Sequence, residues 1–149
     1  MGGARLSAQE IGSQVRDAAP AAPPALLVLG EAEFAAAVKR ALRDVTRPDR
    51  LRDNALLRSR IVADRAGKAA STGQRVTALQ QIVTEAAALG QTPADRRLAR
   101  VLYRAYLWPA PTLERAAEVL DLPSSTFRRL LTTAAARVVD TLWHRELES

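Results

Sequence analysis

The sequence contains no cysteine and a single histidine, His144. Disulfides, thiolate metal sites and a cysteine nucleophile are therefore excluded, and there is no His pair to hold a catalytic metal. No apolar run approaches the roughly 18 residues that a membrane-spanning helix needs. Met1 to Arg5 lacks the apolar core of a secretory signal, and Leu6 stands where a myristoylation signal places Ser or Thr. Lysine is almost missing too: 20 of the 22 basic residues are arginine, leaving Lys39 and Lys68. Ala66-Gly67-Lys68-Ala69 has Val62 and Ala69 where a phosphate-binding P-loop requires Gly and Ser or Thr. That argues against nucleotide binding there.

What remains is a chain of 149 residues, 48% apolar and 26% charged, the size of one ordinary domain with enough apolar content for a core. The formal net charge is +6, which favours anionic partners such as nucleic acid. Arginine adds planar, bidentate recognition of phosphate and guanine that lysine lacks. The pairing of 20 arginines with 30 alanines is also what drift in a GC-rich coding sequence produces.

Residues 1–24 read as a flexible tail. Ser7-Ala8-Gln9-Glu10 has the form of a capping box for a short helix over 8–18, followed by an Ala/Pro linker. From 25 to 149 the reading is one helical domain. Glu31 to Val45 places Phe34, Val38, Ala41, Leu42 and Val45 on one stripe, and Pro48 breaks the run. Asn54 caps a second helix, Ala55 to Arg65. Gly67 to Gly73 is a small-residue loop. A third helix, Arg75 to Leu89, ends at Gly90 as its C′ residue. Thr92 and Pro93 open a fourth, which Pro109 and Pro111 stop. Thr112 caps a short fifth, Leu113 to Leu120, and Ser124 or Ser125 caps a long sixth reaching about Leu147. No strand-like alternation competes. The fold class is all-α: about six helices, with a C-terminal helix-turn-helix and a long last helix.

Catalytic constellations are weak. Glu114 and Glu118 share a face beside Arg115 and read as a solvated surface. His144 has no acidic or nucleophilic partner at useful spacing, and Ser124-Ser125-Thr126 lacks a base. The expectation is no enzyme, no metal and no cofactor. The informative stretch is Thr112 to Thr132, TLERAAEVLDLPSSTFRRLLT. Ala117 supplies the small residue that a perpendicular helix crossing needs, Asp121 falls at the turn, and Leu122, Phe127 and Leu130 point to the core. Asp tolerates the positive φ of such a turn better than most residues. Ser124, Ser125, Arg128, Arg129 and Thr132 then face outward, and with Thr126 they form the candidate DNA-contacting set.

This segment resembles the helix-turn-helix of bacterial sigma factor region 4 and of LuxR-type regulators. ADRRLARVLYRAYLWPAP resembles the helix and loop preceding that motif, and AAARVVDTL the tail of its recognition helix. The resemblance spans about Pro93 to Leu142, a third of the chain. More loosely, NALLRSRIV, LYRAYLWPAPT and STFRRLL are similar to C-terminal segments of large bacterial regulatory proteins bearing an ATPase-type domain. Phe127 departs from the family's usual Val or Ile, and Asp121 from its usual Gly. The resemblance implies a cytoplasmic transcriptional regulator that binds double-stranded DNA. The alternative is an interaction or assembly module on the same fold, in a homodimer or larger protein complex and away from any membrane. For a homodimer, Val139, Leu142, Trp143 and Leu147 offer an apolar strip on the last helix. Charge distribution separates the readings. Residues 112–149 carry five basic and six acidic side chains, whereas 39–65 carry nine basic and four acidic. The fourth helix adds Arg96, Arg97, Arg100 and Arg104.

Overall fold

A computed structural model describes residues 26 and 28–149 of the chain; the expected tail and its short helix lie outside the described residues. Among the described residues there are seven α-helices, a 3-10 turn, a π turn and no strand. We number the helices α1 (Glu31–Asp44), α2 (Pro48–Leu51), α3 (Arg60–Ala66), α4 (Thr72–Ala86), α5 (Pro93–Leu102), α6 (Leu113–Val119) and α7 (Ser124–Glu148). The architecture is all-α with a long last helix, as the apolar periodicity implies. α7 is the spine, with α1 and α5 packed along it.

α1 forms where the stripe predicts. Phe34, Ala37, Val38, Ala41 and Leu42 are buried at helical spacing, and Glu31 and Glu33 sit in the first turn, where the helix dipole favours acids. The seventh helix, beyond the six expected, is the single turn α2. Pro48 ends α1's path but also occupies the first position of α2, where its missing N–H costs nothing.

The expected Ala55–Arg65 helix is split in two. Asn54 does cap its start, as expected, accepting from the Leu56 N–H at 2.8 Å. Ala55–Arg58 then forms a 3-10 turn rather than an α-helix. Ser59 takes an extended backbone and restarts the chain as α3. Its fully buried hydroxyl donates to the Leu56 carbonyl at 2.6 Å and accepts from the Val62 N–H at 3.4 Å. One serine thus ends one turn and caps the next.

A second, long-range cap completes α3. The Glu146 carboxylate, near the end of α7, accepts from the backbone N–H groups of Arg60 and Ile61, each at 3.1 Å. A carboxylate across two orphan N–H groups stabilises a helix start by hydrogen bonding and by the dipole. Glu146→Ala should therefore fray α3 locally. Losing such a cap costs about 1 kcal/mol, so hydrogen exchange at Arg60 and Ile61 should speed up by about five- to tenfold. Unchanged exchange there would remove the cap's role.

The loop before α4 is built around Arg75, only 3% exposed. Its guanidinium donates to the carbonyls of Ala70, Leu57 and Lys68. The P-loop-like Gly67–Lys68 stretch thus turns carbonyls inward onto an arginine, the reverse of a phosphate cradle. α4 begins earlier than expected, because Ser71 and Gln74 form a reciprocal capping box. The left-handed residue after it is Leu89 (φ 59), not Gly90. Gly90 serves a different end: a side chain there would collide with the Asp95 carboxylate.

That carboxylate is fixed from both sides. Arg137 of α7 donates to it at 3.0 Å, and it shares α5's first turn with the Thr92 cap. Hydrogen bonds from Arg137 first, then Thr92, hold Asp95 below the usual carboxylate range. A lowered folded-state value contributes stability above the unfolded value of about 3.9 and loses it as pH falls through the folded value. Wild type should therefore melt above Asp95→Asn at pH 7, and the gap should close as pH drops below about 4. A gap that persists at pH 2 would show that the ion pair is not its source.

α7 buries Phe127, Leu131, Ala134, Ala135, Val138 and Leu142. The apolar strip read as a dimer surface is largely used within the chain. Leu142 is fully buried, Val139 packs against the core, and Trp143 meets Phe34 of α1 edge-to-face at 5.2 Å. Leu147 stays exposed.

Candidate nucleic-acid interface

α6 and α7 are joined by a tight turn whose geometry arises from its residues. Asp121 adopts φ 58, the left-handed conformation anticipated for it. Its N–H donates to the Glu118 carbonyl at 3.0 Å, and the Leu122 N–H to the Ala117 carbonyl at 2.9 Å. This pair of bonds is a Schellman ending: it satisfies the last carbonyls of α6 and reverses the chain. Thr112 caps α6 as expected, accepting from the Arg115 N–H at 3.1 Å.

The start of α7 differs from the expected serine cap. Pro123 is the N-cap residue, and no side chain caps the helix. Ser124 and Ser125 are already helical, and both are exposed. The first-turn N–H groups of a 25-residue helix thus face outward with two free hydroxyls, a favourable setting for an anion.

The remaining candidates divide. Arg129 and Thr132 are exposed, while Thr126 is half-buried and contributes only an edge. Arg128 is exposed but engaged: its guanidinium donates to Glu114 of α6 at 2.6 Å. Glu114 is held below the usual carboxylate range, first by its own backbone N–H and then by Arg128. Glu118 is likewise tied, to Arg115 at 3.0 Å. Each of the two acids is thus paired with an arginine. Thr132 donates its hydroxyl back to the Arg128 carbonyl at 3.1 Å, leaving it an acceptor only.

Residues 125, 129 and 132 share one face of α7 by helical spacing. The neighbour of that face was not legible in the chain order. Lys39, Leu42 and Arg43 of α1 form a groove of about 190 Å³ with Tyr106, Leu131, Thr132 and Ala135. Lys39 and Arg43 are exposed on its rim. Tyr106, from the π turn Tyr103–Leu107, is half-buried, and burial pushes its phenol up against the opposing pull of Arg43. α1 therefore brings cations to a motif region whose own net charge is −1. The signal available beforehand was the i, i+4 pair Lys39/Arg43 next to the buried positions Val38 and Leu42.

His144 corrects a further expectation. Asp140, one helical turn earlier, is an acidic partner: its carboxylate lies 3.6 Å from Nδ1 and its carbonyl 2.8 Å. These contacts, the carbonyl first, raise the imidazole above its ordinary range. The pair is exposed. Among the described residues, no three His, Cys, Asp or Glu side chains gather as a metal site, and no helix is long and apolar enough to cross a membrane. The chain matches no protein-family model, no curated protein and no solved structure.

Proposed function

We propose that this chain is a DNA-binding transcriptional regulator, or the DNA-binding module of one. In this reading α6 and α7 act as a helix-turn-helix with α7 in the major groove, in the bacterial cytoplasm. The observation that carries the proposal is the groove that sets Lys39 and Arg43 beside Thr132, on the face that also bears Ser125 and Arg129. Sequence readout would fall to Ser124, Ser125, Arg128 and Arg129, with Thr126 at the edge and Thr132 accepting. Phosphate contacts would come from Lys39, Arg43 and the uncapped start of α7.

One observation favours the other reading, an assembly module. Arg128 already has a carboxylate partner in Glu114, so DNA must displace that partner to use it. Titration against a random duplex of about 30 base pairs decides between them. About four neutralised phosphates give a log–log salt slope near −3.6, an affinity loss on the order of a hundredfold between about 50 and 200 mM salt. Binding with such a slope supports the DNA reading. No binding at the lower salt overturns it and leaves the assembly module.

A further inference from the structure

A second surface runs along α5 to the outer side of the π turn, whose Tyr106 lines the α1–α7 groove. Arg96 and Arg100 are exposed, and with Tyr103 they fall at i, i+4 and i+7 on one face. Arg97 is exposed beside them. The Trp108 N–H closes the π turn on the Tyr103 carbonyl at 2.7 Å, which sets Trp108 one wide turn beyond Tyr103. Tyr103 is 47% exposed and Trp108 66%. Arg96, Arg97 and Arg100 make no hydrogen bond or ion pair with any described residue, and the nearby acid, Asp95, is committed to Arg137.

We infer that this face docks an acidic protein segment that carries an apolar side chain. Tryptophan, tyrosine and arginine are the residues that concentrate binding energy at protein interfaces, and here they occur together, with Arg96, Arg97 and Arg100 unpaired by any described residue. Carboxylates match unpaired guanidinium groups bidentately, and an apolar residue matches the indole. Duplex phosphates would satisfy the arginines but leave the exposed aromatic area unused. The face meets the proposed DNA groove at the π turn, but its α5 arginines do not line that groove. Arg137, which anchors α5, and Thr132, which lines the groove, are five residues apart, about 140° around α7.

The test is fluorescence anisotropy with a labelled peptide of repeated Glu-Leu-Glu-Glu, a Lys-for-Glu version of it, and a labelled oligothymidine strand. The wild type should bind the acidic peptide and not the basic one. Arg96→Ala with Arg100→Ala, and separately Trp108→Ala, should each weaken it by at least about tenfold with unchanged circular dichroism. Arg128→Glu with Arg129→Glu should leave peptide binding intact, so failure of the DNA reading would not touch this one. The inference is overturned if the acidic peptide does not bind, or binds the α5 variants equally well. Tighter, α5-dependent binding of the oligothymidine also overturns it, assigning the face to single-stranded nucleic acid.

Discussion

Phe127→Ala should lower the melting temperature by on the order of 10–20 °C, while Arg129→Ala should leave it nearly unchanged. Phe127 is 0% exposed and lies in the first turn of α7, one residue before Arg128. Truncating a buried phenylalanine forfeits its transfer free energy and leaves a cavity, together costing about 3–5 kcal/mol. For a domain of this size each kcal/mol is worth roughly 3–5 °C. Arg129 is exposed and its guanidinium makes no bond with any described residue, so its removal costs little. Thermal melts of the two variants beside wild type give the comparison. Equal melting would show that Phe127 does not hold α7 in place.

What was readable in the chain was what is local. Thr92 and Thr112 cap their helices through bonds to the third residue on, so residue type and spacing suffice to locate them. The turn at Asp121 was readable for the same reason: one residue's tolerance of positive φ decides it. The departures are of two kinds, local bonds that compete with a continuous helical pattern and contacts between distant elements. Ser59 breaks a continuous helical pattern locally: its buried hydroxyl donates to the Leu56 carbonyl three residues back and caps the Val62 N–H three residues on. Glu146 caps a helix 85 residues away, which no window of sequence can reveal. The interface divides the same way. Outward positions on α7 derive from helical spacing, but the engagement of Arg128 by Glu114 depends on how α6 crosses α7. The approach of Lys39 and Arg43 to Thr132 depends on α1 lying along the same helix. Charge counted along the chain placed the cations outside the motif; packing brings two of them to its edge.

Under the DNA reading, Arg128→Glu combined with Arg129→Glu should abolish duplex binding while the helical circular dichroism persists. Both side chains are exposed, and neither Phe127 nor Leu130 is touched. Among the described residues the bond lost is the Arg128–Glu114 pair, and exposed ion pairs contribute little to stability. A glutamate at 128 faces Glu114 across solvent, where screening blunts the repulsion. The consequence for DNA is much larger. Two cations at the start of α7 become two anions directly against the phosphates, and each lost guanine contact costs about 1–3 kcal/mol of discrimination. Lys39→Glu with Arg43→Glu provides the graded comparison. These side chains flank the groove without standing on α7, so binding should weaken and the salt slope should fall in magnitude by about 2, two phosphate contacts having been lost. Their packing beside Thr132 makes this effect more than distant attraction. Electrophoretic shifts of all three proteins at two salt concentrations separate the outcomes. A double α7 variant that binds as well as wild type sinks the recognition-helix assignment. An α1 variant that keeps the full salt slope would confine the footprint to α7.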